Sequence, residues 1–367
     1  MLTPHTPVPD PGAPEDEPPS ITRERPVFSG RAGEYFGIWI VNVLLSIVTL
    51  GIYSAWATVR TQRYFYGNTR LAGSAFEYLA DPIRILKGRL VAYAIVIVLV
   101  LSSHFLPVLY LALILLLTLL MPLLVFLAAR FRARYSAWRG VRFRFTGGAG
   151  EAYGPFFGWV LLTGLTFSLL YPIAKTRQHA YLVDGHRFGT TAFRYSGDAG
   201  SYYIPYLIAM GIGVAMMVAM FLVTIGAIAA SSAVSTGSDG PGDASAWIVI
   251  AVFPLFYLGL FALMAFLRVR YVNLMWRSSA LGSHRFESTL RARDVIWLYA
   301  SNLVAIVCTL GLATPWAMIR LARYRATHFA VLVSGDLDSF LADVEAERAS
   351  AGAELVDAMD YGVDIGI

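Results

Sequence analysis

The sequence predicts an all-α polytopic membrane protein with about seven hydrophobic segments in internal repeats, together with short interfacial strands and basic amphipathic helices. Three observations carry this expectation. Of the 367 residues, 57% are hydrophobic and 14% are charged, whereas soluble domains carry about 25% charged residues. Leu90 to Ala129 is a run of 40 residues without Asp, Glu, Lys or Arg, and one helix crosses a bilayer with about 20 residues. Aromatic, glycine and arginine positions also recur at fixed offsets, the mark of a duplicated unit.

In chain order, residues 1–27 ("MLTPHTPVPDPGAPEDEPPSITRERPV") are rich in proline and acid. They lack the basic start, apolar core and cleavage site of a signal peptide, and they read as a disordered tail. Residues 28–144 form the first membrane repeat, with a single apolar segment at 35–57 and a helical pair over 90–129 that turns near Ser102 to Pro107. Residues 145–285 form the second, with a single segment at 153–174 and a pair, Ile204 to Ala230 and Trp247 to Leu267, joined by an acidic polar loop. Residues 286–340 are a third, partial repeat with one segment at 295–316, and 341–367 an acidic soluble tail.

The repeat is visible without gaps. "FSGRAGE" (Phe28 to Glu34) returns as "FTGGAGE" (Phe145 to Glu151), an offset of 117 that also places Arg60 on Arg177 and Tyr64 on Tyr181. An offset of 260 places Asn42 on Asn302, "TLG" at Thr49 on "TLG" at Thr309, Trp56 on Trp316, Arg60 on Arg320, and Arg63-Tyr64 on Arg323-Tyr324. The second copy departs from the pattern: Ile173 replaces the tryptophan, Ala180 the second arginine and Trp159 the asparagine. Five basic aromatic segments follow the five apolar elements, among them "RFRARYSAWRG" and "RVRYVNLMWRS". Short stretches such as "VRFRFTG" and "FRYSG" alternate with period two, which suggests small strands.

Charge placement sets a topological problem. From Phe28 to Val333 there are 26 Arg+Lys, 24 of them arginine, against 10 Asp+Glu; from Ser334 onward there are nine acids and one arginine. The body's arginines stand at the ends of apolar segments, which fits snorkelling toward anionic lipid headgroups and does not fit nucleic-acid binding. Both long pairs satisfy the positive-inside rule. The single segments do not, because each is basic on both flanks. Either they cross once, with inverted units, or they dip in and return, broken at "LGIYSAW", "LLYPIAK" and "LGLATPW". Their length of 22–23 residues favours one crossing each, hence seven transmembrane helices.

Chemistry is sparse. The lone Cys308 excludes an intrachain disulfide. No H-E-x-x-H, Cys/His cluster, P-loop or G-x-S-x-G occurs, so no catalytic residue, metal or cofactor is assigned. The candidates are interfacial: Trp56, Arg60, Arg63, Tyr64, Arg177, Tyr181, Trp316, Arg320, Arg323 and Tyr324. They read as membrane anchors, or as a basic vestibule for an anionic ligand, since guanidinium grips phosphate and carboxylate bidentately. Asn42 and Asn302 are intramembrane polar groups, suited to interhelical hydrogen bonding or to a ligand pathway. Glu34, Glu151 and Asp294 stand at helix starts, where an acid complements the dipole.

The stretch "EYFGIWIVNVLLSIVTLGIYSAWATVRTQRYFYGNTRLAGSAFEYLADPIRILKGRL", with its later copy "LYASNLVAIVCTLGLATPWAMIRLARYRATHF", resembles the YjgN-like family of multi-pass bacterial inner-membrane proteins. The resemblance covers about Phe28 to Phe340. It implies location in the cytoplasmic membrane and no particular reaction. The expected function is non-enzymatic binding or transport of a small anionic or lipidic ligand, with anionic membrane lipids as partners. The alternatives are a structural or regulatory partner of another membrane protein, docking through the acidic tail from Asp336 to Asp364, and, more weakly, an intramembrane enzyme.

Overall fold

In the computed structural model, which describes residues 21–234 and 242–335, every helical segment starts and ends on a strand of one sheet. The chain enters through β1 (Ile21–Glu24) and β2 (Val27–Phe28), within and at the edge of the stretch read as a tail. Five units follow. The first is α1 (Ala32–Val48) and α2 (Ser54–Gly67), then the strand pair β3 (Thr69–Leu71) and β4 (Ser74–Tyr78). The second is α3 (Pro82–Phe105) and α4 (Pro107–Arg134), then β5 (Ser136–Trp138) and β6 (Val141–Phe145). The third has irregular helical turns over 150–158, α5 (Trp159–Leu165) and α6 (Tyr171–Asp184), then β7 (His186–Phe188) and β8 (Thr191–Tyr195). The fourth is α7 (Ala199–Val234) and α8 (Gly242–Arg277), then β9 (Ser279–Leu281) and β10 (His284–Ser288). The fifth is α9 (Ala292–Cys308) and α10 (Thr314–Thr327), closed by β11 (Phe329–Ser334).

The strand order is β1-β11-β10-β9-β8-β7-β6-β5-β4-β3-β2, with all neighbours antiparallel. The two end strands, β1 and β2, are joined only by Arg25 and Pro26, so the sheet curls into a ring. β11 is the last strand among the described residues, and β1 pairs with it: Ile21 with Ser334 and Glu24 with Val331. The helices close a matching circuit, because α10 packs on α1. Inward side chains of the strands fill the ring, as they fill small barrels generally. Trp138, Val141, Phe188, Leu281, Phe286, Val331 and Val333 are buried together, with Phe76, Phe143, Phe193 and Phe329 against them. Outward positions carry charge: along β6, Arg142 and Arg144 are exposed between buried or half-buried Val141, Phe143 and Phe145.

Two expectations are corrected. The protein is not all-α, since an eleven-stranded sheet organises it. Among the described residues, four helices are long and apolar enough to span a membrane, not about seven: α3, α4, α7 over Ala199–Ala229 and α8 over Ile250–Arg277. The single segments are broken in the middle. Thr49 ends α1, Leu50 and Gly51 take φ of 51° and 89°, and α2 runs back. Leu310 and Gly311 repeat this with φ of 51° and 93°, and Phe167 and Ser168 with 50° and 69°. The turn is held by its own threonine. Thr49 Oγ1 donates to the Leu45 carbonyl at 2.7 Å and accepts the Tyr53 N–H at 2.9 Å, and Thr309 does the same with Ala305 and Ala313. At about 1.5 Å per residue, the 17 residues of α1 reach about 25 Å, short of the roughly 30 Å hydrocarbon core.

The residues at these three tips are large, apolar and bare: Leu50, Phe167 and Leu310 are 93%, 93% and 95% exposed. Residues 1–20, most of the acidic loop of the second repeat and the acidic tail with its docking segment lie outside the described residues.

Candidate functional site

All of the residues singled out from the sequence fall on the three short hairpins. Most of them build the hairpins. Tyr64 closes the base of the first: its hydroxyl donates to the Arg31 carbonyl at 3.0 Å and accepts the Arg31 N–H at 2.9 Å. Tyr324 meets the Arg291 N–H and carbonyl at 3.2 and 3.5 Å, and Tyr181 donates to the Gly148 carbonyl at 3.0 Å. Residues 31, 148 and 291 are themselves related by the two offsets, so one clasp recurs three times. At Gly30 the space is tight, since a Cβ there would lie 2.6 Å from the Phe28 ring and 3.2 Å from Tyr64.

The acids sit beside the clasps. Glu34 lies 3.4 Å from the Tyr64 hydroxyl, Glu151 accepts the Gly148 N–H at 2.9 Å, and Asp294 pairs with Arg293 at 3.5 Å. Arg63 and Arg323 tie neighbouring units together. Arg63 donates to the Ala80 carbonyl at 3.5 Å and Arg323 to the Gly30 carbonyl at 3.3 Å, each at the entry of the next unit around the ring. The third hairpin has Ala180 at that position and meets the next unit through His179 Nδ1, 2.7 Å from the Tyr202 hydroxyl.

Arg60 and Arg177 do not join Arg320 in one cleft. Both are exposed, and neither lines the cleft that holds Arg320. That cleft, about 530 Å³, gathers Asp294, Trp316, Arg320, Arg323 and Tyr324 beside Ala32 of α1. Arg320 is fixed within it: Nη1 donates to Ser301 Oγ at 2.6 Å and Asn302 Oδ1 at 3.2 Å, and the guanidinium sits 5.2 Å over the Trp316 ring. Trp56 stacks on Tyr53 instead, at 6.2 Å between ring centres. Asn42 and Asn302 bridge their own hairpins, each Nδ2 donating across to Ala57 or Ala317 at 3.5 and 3.4 Å.

A second, larger cavity is lined mainly by residues that were not singled out; of the candidates it takes in Tyr324. It measures about 710 Å³ and lies between α2, α8, α9 and α10 and the wall of the ring. Its lining is aromatic and aliphatic, including Phe65, Val272, Trp276, Leu290 and Phe329, and its charged lining residues are both arginines, Arg268 and Arg325. Trp276 and Phe329 also pack against the ring's filling, so the cavity's floor is the plug itself. One signal was available: Arg268, Val272, Met275 and Trp276 stand at i, i+4, i+7 and i+8, one face of α8.

The ring also holds a buried imidazole, His284, and a half-buried one, His186. His284 accepts the Ser334 N–H at 3.2 Å, and burial lowers its pKa; burial lowers that of His186 as well. Among the described residues, no group of three or more His, Cys, Asp or Glu stands close enough to hold a metal.

Comparison with known proteins gives a family and named relatives. A family model described as a bacterial protein of unknown function (DUF898) matches residues 23–358. An inner membrane protein YjgN of Salmonella typhimurium strain LT2 is 27% identical over 358 residues, covering 85% of this chain and 89% of its own length. A protein of the same name from Escherichia coli K12 is 23% identical over 337 residues, covering 90% of this chain and 68% of its own. No solved structure matches.

Proposed function

Since the chain belongs to the DUF898 family, to which no reaction is assigned, we propose from the geometry that it is a non-enzymatic binding protein of the bacterial inner membrane that holds an amphipathic anion in its central cavity. The inner-membrane location itself follows from its relatives and its four spanning helices.

The observation that carries the proposal is the lining of the 710 Å³ cavity, apolar over most of its wall and carrying Arg268 and Arg325 as its charges. Such a site suits a ligand with a hydrocarbon body and one anionic group, because ligand pockets are mainly apolar with a few orienting polar groups. Arginine binds carboxylate or phosphate through paired donors. The aromatic filling of the ring supports holding over conduction: a ligand leaving along the ring axis meets Trp276, Phe329 and Phe76 rather than water.

The test uses a fluorescent fatty acid as probe on the full chain in detergent. Ala322→Trp and Val272→Trp fill the cavity and abolish the probe's fluorescence change. The Arg268→Gln/Arg325→Gln pair weakens binding by roughly tenfold or more, because a hydrogen bond to a charged group is worth about 1.5–3 kcal/mol. Unaltered probe binding in both tryptophan variants, with unaltered thermal stability, overturns the proposal.

A further inference from the structure

We infer that the first short hairpin carries a second site, separate from the central cavity, which takes a phosphoester headgroup bearing a hydrogen-bond donor. The observation is an open acceptor. Asn42 is 5% exposed, and its Oδ1 is buried with no hydrogen-bond partner. A buried unpartnered acceptor costs about 1–3 kcal/mol, and native proteins rarely leave one without a use. Asn42 lines a cleft of about 570 Å³ between α1, α2 and α3 that also receives Arg89.

Arg89 supplies the other half. It reaches from α3 to Ser54 Oγ through Nη1 and to Thr58 Oγ1 through Nη2, the latter at 2.7 Å. Among the described residues its partners are these two hydroxyls, and no carboxylate there neutralises its charge. A cation on a spanning helix marks a ligand or ion site by default, because leaving it uncompensated beside lipid is expensive. The ligand that completes both groups brings an anionic oxygen to Arg89 and an N–H or O–H to Asn42. Phosphatidylethanolamine and phosphatidylglycerol headgroups have both parts; phosphatidylcholine has the anion without the donor. The place favours lipid as the source, since Ser54 follows directly on the bare apolar tip at Leu50 and Ile52.

The fifth unit provides the internal control. There the equivalent Asn302 Oδ1 is satisfied by Arg320 at 3.2 Å. In the first unit the arginine equivalent to Arg320 is Arg60, which is exposed and leaves Asn42 open. In the third unit tryptophan, Trp159, replaces the asparagine. The acceptor is therefore kept and vacated in one copy only among the described residues.

The experiment measures binding of dihexanoyl phosphatidylethanolamine, phosphatidylglycerol and phosphatidylcholine to the full chain in detergent by native mass spectrometry. The first two bind at least tenfold more tightly than the third. Arg89→Gln weakens all three. Asn42→Leu erases the preference, and Asn42→Asp, which keeps an acceptor, retains it even if the leucine variant folds poorly. Ala322→Trp, which fills the central cavity, leaves this binding intact, so the two proposals fail separately. Chain-free glycerophosphoethanolamine distinguishes the sources: equal affinity assigns the site to a soluble phosphoester, and much weaker affinity assigns it to lipid. Phosphatidylcholine binding as tightly as phosphatidylethanolamine, or a preference that survives Asn42→Leu, overturns the inference.

Discussion

At the scale of single residues, the repeated tyrosines are clasps, and their value is energetic. Each of Tyr64, Tyr181 and Tyr324 bonds a backbone group 33 residues upstream, so a hydroxyl deletion that keeps the ring removes the bond and leaves the packing. Tyr64→Phe, Tyr181→Phe and Tyr324→Phe are each expected to cost about 1 kcal/mol. The readout is a lower thermal midpoint by tryptophan fluorescence in detergent. Arg60→Gln, on an exposed side chain, is expected to change stability by less than about 0.5 kcal/mol; a loss equal to that of Tyr64→Phe would contradict the assignment of roles. The ring histidines set a pH dependence. Burial lowers the pKa of His186 and His284 in the fold, so the unfolded chain binds more protons below its ordinary value of about 6.5. Stability is then full above that value and falls as pH drops beneath it. Thermal midpoints compared at pH 8 and pH 5 check this, and His284→Gln reduces the difference while His186 keeps its share.

At the scale of elements, the turn between two short helices decides whether a segment crosses a membrane. "TLG" works because its glycine takes a positive φ at no steric cost, whereas the third unit puts Ser168 at φ 69°. Opposite signs are therefore expected: Gly311→Ala destabilises by about 1 kcal/mol, and Ser168→Gly stabilises by about 0.5–1 kcal/mol. Equal effects of one sign in thermal unfolding would show that the turn is not the controlling feature. The same turn shows what the sequence could express. Residue spacing revealed the copies, the basic helix after each apolar element and the four long spans. It also offered the break at "LGIYSAW", but a count of 22–23 apolar residues outweighed it. Length alone does not register a left-handed pair of residues. The ring was legible only in fragments, since strands of two to six residues are too short for period-two alternation to stand out. Nothing local told β1 to complete β11 from the far end of the chain. Arg89, central to the second site, was hidden by its position at the edge of an apolar run, where snorkelling explains an arginine equally well.

At the scale of the whole molecule, the ring settles the conflict that charge created. Every helical hairpin leaves one strand and returns to the neighbouring one: β2 and β3, β4 and β5, β6 and β7, β8 and β9, β10 and β11 are adjacent in the sheet. The basic ends of all five units therefore gather at the ring, and no flank of a short hairpin needs to lie across the membrane. The positive-inside rule then predicts a cytoplasmic ring, with four helices crossing and three apolar tips entering the lipid part-way. Single cysteines in a Cys308→Ala background test this with a membrane-impermeant maleimide on right-side-out and inverted vesicles. Arg60→Cys, Arg177→Cys and Arg320→Cys all react in inverted vesicles and remain unlabelled in right-side-out ones. Leu50→Cys, Phe167→Cys and Leu310→Cys react from neither side, because their tips sit in hydrocarbon. A mixed pattern among the three arginine positions would require at least one short hairpin to cross. A crossing would part its two ends, and the strand pairing that joins those ends, Val27 with Arg70, Phe143 with Phe188 or Glu287 with Ala330, would have to break with it.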